Sequence, residues 1–235
     1  VENNLGVSLK KDIFPLLGNE IAYTITDIEV EGIIPVPKVA LFLKVKNASG
    51  ANDLIAKIVE GVNRQMTATD PEAQIPLTLA DATYKDQKLT NIKINAFPVP
   101  GLTPCFCTIG DQLILATNET TIHELIDVYK GTAESLVSSQ KYSSVRNIIG
   151  EKNNQLSYID LENTLTALVK VSSWLLDLQN AAGDFGDLTP ETTALINDNV
   201  IPLINSFKFL KVLATNTIYK KEGIEKIIVY TTEGF

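Results

Sequence analysis

The chain has 235 residues, with 28 acidic against 20 basic side chains, a formal net charge of −8 and 45% hydrophobic residues. This is a globular composition with ample material for a core, and it excludes wholesale disorder. Nucleic acid is excluded as a partner, because Lys10-Lys11 and Lys220-Lys221 are isolated doublets and no concentrated basic face can form from them.

The stretch from Leu9 to Ile25 organises the start of the fold. Ile13, Phe14, Leu16 and Leu17 predict a short amphipathic turn, and Gly18 its stop. Ile21, Tyr23 and Ile25 then alternate with Ala22, Thr24 and Thr26, the period of a half-buried strand that runs on through Asp27 to Glu31. A turn from Gly32 to Pro37 leads to a second strand, Val39 to Lys46. Residues 51–66 read as a helix with its stripe at Ile55, Ile58, Val59, Val62 and Met66, capped by Ser49 or Asn52 and followed by a break at Asp70-Pro71. Strands follow at 76–84, 88–97, 104–109 and 112–116. They are joined by a turn at Tyr84–Lys88, a connection at Phe97–Gly101 and a tight hairpin at Gly110-Asp111.

Asn118 then caps a helix whose stripe is Ile122, Leu125, Ile126 and Tyr129 and whose stop is Gly131. Residues 133–150 predict two short helical pieces. A strand from Gln155 to Asp160 runs into a long helix over 161–182, and Gly183-Asp184-Phe185-Gly186 ends it. Thr189-Pro190-Glu191 opens another helix, which Pro202 should kink. A hairpin of 208–219 and 224–232 closes the chain. These elements predict an α+β fold: an antiparallel sheet meander with helices packed on it, in a single domain over 1–235. Within it the chain is sheet-rich over 9–131 and helix-rich over 133–206, with the closing hairpin at 208–232.

The residues that could carry chemistry are sparse. Cys105 and Cys107 share one face of a strand, a spacing too close for an unstrained disulfide. With a single histidine in the chain they make a poor metal site, so two buried apolar side chains are expected. His123 is that histidine; with no nucleophile motif or orienting partner beside it, an exposed helical residue is expected. Asp27, Glu29 and Glu31 sit about 6–7 Å apart along a strand, too far for one cation, and read as a solvated acidic edge. Asp184-Phe185-Gly186-Asp187 lacks the ligand spacing of a calcium loop. Asp12, Glu20 and Asp160 are the acids on which a hydrolase would rest. Asp160 is more simply the cap of the helix that follows it. No cofactor, metal or catalytic residue is expected. Asn47-Ala48-Ser49 and Asn118-Glu119-Thr120 are formal glycosylation sequons of the kind that arise by chance.

No apolar run approaches the roughly 18 residues that would span a bilayer. Residue 1 is Val and no leader is visible, so a processed product or a piece of a longer protein is expected. The excess of apolar helix in 161–206 is the one feature with a sharper reading. Leu165, Leu168, Trp174, Leu175 and Leu203 would line a cleft for a lipid or other apolar ligand, or an exposed patch for a protein.

Leu9–Ala22, Asp111–Asn118, Ser139–Val145 and Leu156–Leu161 stand in an order and spacing that resembles a bacterial family of extracytoplasmic proteins of unknown function (DUF3352-like). The resemblance runs from about residue 5 to 232. It implies a periplasmic or cell-surface location and, since members often carry an N-terminal anchor, membrane association only through a segment outside this sequence. It brings no catalytic residues. The expectation is therefore a non-enzymatic binding or interaction module with an unknown protein partner. A carrier of an apolar ligand is the first alternative, and a hydrolase using acidic residues the second.

Overall fold

A computed structural model describes residues 6–30, 34–69, 76–95, 99–182 and 189–232, with side chains left undescribed at 178–182 and 190. Glu31 and Gly32, the Asp70-Pro71 break, Phe97-Pro98 and the whole Gly183–Asp187 stretch lie outside the described residues. The chain gathers into two compact units, 1–133 and 134–235. Both combine helices with an antiparallel sheet, the α+β class that the alternating patterns predict.

The first unit opens on a π-helical turn at Leu9–Ile13, capped by Ser8. Strands β1 (Leu17–Glu29) and β2 (Val36–Val45) form a hairpin. Gly18 lies inside β1 and does not end the turn. A Cβ there would stand 2.9 Å from Lys44 Cγ, so the residue is needed for close approach to β2 and not for a left-handed backbone. Helix α1 (Ala48–Thr69) starts three residues before the expected start at 51 and takes its cap from Asn47, whose Oδ1 accepts the Gly50 N–H at 3.3 Å. Met66 ends that stripe in solvent.

Strands β3 (Leu77–Tyr84), β4 (Gln87–Ile94), β5 (Cys105–Ile109) and β6 (Gln112–Ala116) are the meander. The β3–β4 turn puts Lys85 and Asp86 at φ 45° and 64°, the primed geometry that suits the strand twist, here without glycine. Gly110, at φ +60°, supplies it between β5 and β6. The six strands lie in the order β1-β2-β6-β5-β4-β3, every neighbour antiparallel. β2 and β3 therefore point the same way, and α1 is the crossover that carries the chain to the far edge.

Helix α2 (Glu119–Tyr129) is capped by Asn118, whose Oδ1 accepts the Thr121 N–H at 2.9 Å, and stops at Gly131 with φ +73°. Its Ile122 and Ile126 are wholly buried against Ala40, Leu89, Cys105, Cys107 and Ile114 on one face of the sheet. On the other face Phe106, Leu113 and Val45 pack with Ala51 and Ile55 of α1. Tyr129, the last residue of the expected α2 stripe, is exposed.

In the second unit α3 (Gln140–Ile149) buries Tyr142, Val145 and Ile149 against the sheet β7 (Gln155–Asp160), β8 (Leu210–Lys220), β9 (Gly223–Thr232), antiparallel in that order. Asp160 caps α4 (Leu161–Ala182), its Oδ1 accepting the Asn163 N–H at 3.0 Å. Helix α5 (Pro190–Leu195) has the Thr189 cap and Pro at its first turn, as the sequence predicts. The expected effect of Pro202 takes the form of a π-helical segment, Ile196–Val200, ahead of α6 (Ile201–Ser206). There the Ile201 N–H reaches the Ile196 carbonyl, one residue further than in an α-helix, just before the proline removes a donor.

Candidate functional site

A groove of about 390 Å³ opens where the start of α1 overhangs β3, β4 and β5. The register fixes its layout. Asp81 stands opposite Thr90 and Thr83 opposite Lys88, while Thr90 faces Phe106 on β5. Alternation along each strand then puts Asp81, Thr83, Lys88, Thr90 and Thr108 on the α1 side of the sheet, with Asn52 above them. Phe106 is the apolar side chain on this face, while Leu89 and Ala82 border the groove through their backbone, their side chains lying on the α2 side.

Two hydrogen bonds order this surface. The Thr90 hydroxyl donates to Asp81 Oδ1 at 3.0 Å, and the Thr108 hydroxyl donates to Asn52 Oδ1 at 3.0 Å. The second Asp81 oxygen, the Asn52 amide nitrogen and the Lys88 ammonium are left facing the groove with no recorded partner among the described residues.

The opposite face of the same strands carries a row of polar side chains along α2. The His123 ring stacks on Tyr84 with centroids 3.8 Å apart, and its Nε2 lies 3.5 Å from Glu119 Oε1. Glu119 Oε2 accepts from the Asn91 amide nitrogen at 3.3 Å, and the Asn91 amide oxygen is buried without a partner. One turn further on, Lys85 Nζ stands 2.7 Å from Asp127, which also accepts the Tyr84 hydroxyl at 3.2 Å. The Lys85 ammonium holds the Asp127 carboxyl below its usual range, although burial works the other way. His123 is thus half-buried under an aromatic ring and not the exposed residue expected, because β3 ends directly above it.

The acids named from the sequence each have their own partners. Asp12 accepts the Ser8 N–H at 2.7 Å, Glu20 pairs with Lys44 at 2.9 Å, and Asp160 pairs with Lys141 at 2.9 Å. Glu29 turns towards Lys38 and Asn118. Cys105 and Cys107 are free and buried, and desolvation pushes their thiols up to about 12 and about 11. The thiolate, the form that reacts or binds metal, is correspondingly scarce. Among the described residues no group of three or more His, Cys, Asp or Glu side chains could hold a metal ion.

Of the residues picked out in the apolar helices, Leu168, Leu175 and Leu203 are 47%, 38% and 60% exposed, and Leu165 and Trp174 are half-buried. Helices α4 and α6, which carry them, are in contact. Among the described residues no helix is long and apolar enough to cross a membrane.

The largest apolar exposure that the sequence did not announce is on β1. Ile21, Tyr23 and Ile25 are 72%, 75% and 60% exposed. They stand opposite Leu43, Leu41 and Val39 of β2, on the α1 side of the sheet, and among the described residues the outer edge of β1 has no neighbouring strand. The groove residues were missed for a different reason. They come from a helix and three strands, and only the Thr and charged residues alternating on both sides of the Tyr84–Lys88 turn hinted at a polar face there.

Fold and surface together define an α+β protein built on antiparallel sheets, with its chemistry spread over a sheet face and an open edge. The chain belongs to the family described as "Protein of unknown function (DUF3352)", whose model matches residues 2–195. No curated protein and no solved structure matches it.

Proposed function

We propose that this chain is a non-enzymatic interaction module that takes an extended segment of a protein partner onto the free edge of β1. One observation carries the reading: Ile21, Tyr23 and Ile25 form an exposed apolar row on a 13-residue edge strand. Edge strands normally blunt themselves with charge or cover, because their unpaired N–H and C=O groups template further pairing. Here residues 21–25 pair regularly with β2 between register irregularities on both sides, which leaves a short, straight, greasy segment open for strand addition. We take the module to work outside the cytoplasmic membrane, tethered by a segment beyond this sequence, in keeping with the family it resembles.

The test is a photo-crosslinking residue placed at position 23 of the full-length protein in its native cells, with position 57, an exposed site on α1, as the control. The reading expects one discrete protein adduct from position 23 that is absent from position 57. Equal or no adducts from both positions would sink it.

A further inference from the structure

We infer that the groove between α1 and strands β3–β5 binds a small zwitterion of the α-amino acid class. Asp81 and Lys88 are diagonal neighbours on an antiparallel strand pair, since Asp81 stands opposite Thr90 and Lys88 lies two residues before it. Diagonal side chains of this length are within reach of one another, and opposite charges so placed ordinarily pair. These do not. Asp81 turns one oxygen to the Thr90 hydroxyl, and both charges line the same groove. A purely anionic ligand would meet the Asp81 carboxylate, and a purely cationic one the Lys88 ammonium. A molecule carrying both signs a few ångströms apart satisfies each: its carboxylate takes Lys88 and the Asn52 amide, and its ammonium takes the free Asp81 oxygen and the Thr83 hydroxyl.

The rest of the lining narrows the class. Ala82 and Leu89 turn their side chains to the α2 face and border the groove through backbone alone, which leaves Phe106 as its apolar side chain. Phe106 is only 4% exposed, so it offers no open ring face on which a sugar would stack. The volume of about 390 Å³ holds one such molecule with room for a second residue, so a dipeptide also fits the class. The groove lies on the sheet face next to α1, and the inference is independent of strand addition at β1.

The experiment is a titration of the isotope-labelled full chain with L-leucine, followed residue by residue by NMR. Binding with a dissociation constant on the order of 1 mM, with shifts centred on Asn52, Thr83, Lys88 and Thr90, is expected. Asp81→Asn and Lys88→Met should each weaken it about tenfold, the loss of one charged hydrogen-bond partner. Both side chains are exposed, and an unchanged spectrum away from the groove verifies that the variants fold. N-acetyl-L-leucinamide has the same side chain and no charges, and it should leave these resonances in place. The inference is overturned by any of three results: no groove shifts with L-leucine, equal shifts with the neutral analogue, or shifts with D-glucose alone.

Discussion

The middle and the β1 end of the six-stranded sheet are built from similar apolar residues and have opposite fates. In the middle, Cys105, Phe106, Cys107, Leu113 and Ile114 are buried on both faces, because α2 covers one side and α1 the other. At the end, Ile21, Tyr23 and Ile25 face the α1 side, where β2 alone flanks them. The difference teaches that burial of a strand is a property of its place in the sheet order. α1 must travel from β2 to β3, so it lies over the β6–β3 half and leaves the β1 half uncovered.

The largest effect should come from the covered half. Ile122→Ala removes a fully buried side chain that meets Ala40, Leu89 and Ile114, and should cost about 2–5 kcal/mol in urea unfolding. A loss below about 1 kcal/mol would mean that α2 is loosely seated and that the two ends are less different than their burial suggests.

A middle-sized effect should appear in acid. Asp127 is held below the ordinary value of 3.8 by Lys85, against the opposing pull of burial and with help from the Tyr84 hydroxyl. A depressed carboxyl contributes stability that is fully present above its unfolded value and is lost as the pH falls through the folded one. The contact of α2 with the β3–β4 turn should therefore weaken below about pH 3.8, and Lys85→Met should flatten that part of the stability profile. An unaltered profile in Lys85→Met would remove the ion pair from the account.

The smallest effect belongs to the open end. Tyr23→Lys replaces a side chain that is already 75% exposed, and the midpoint of unfolding should move by no more than about 0.5 kcal/mol. A substantial loss would show that Tyr23 is covered in solution, which would sharpen the contrast into a question of what covers it.

Much of this was legible in the sequence. Asn118, Thr189 and Asp160 cap the helices expected of them, since a cap is a local bond between residues three apart. The hairpin turns fell where Gly110 and the polar residues after Tyr84 placed them. What was not legible depends on partners distant in the chain. Clean alternation at Ile21–Ile25 gives the period of a strand and is silent on whether anything lies over it. Gly18 reads as a stop until Lys44 is seen pressed against it. The groove needs Asn52, Lys88 and Thr108 side by side, and no periodicity joins positions so far apart.

The two thiols at the centre of the sheet carry a kinetic consequence. A reagent that modifies cysteine can touch Cys105 or Cys107 only when β5 parts from its covering helices, and the thiolate that reacts is scarce even then. With only two cysteines in the chain, both in this one place, their labelling rate is a clock for the opening of the innermost strand. Fraying at β1 would leave that clock unmoved.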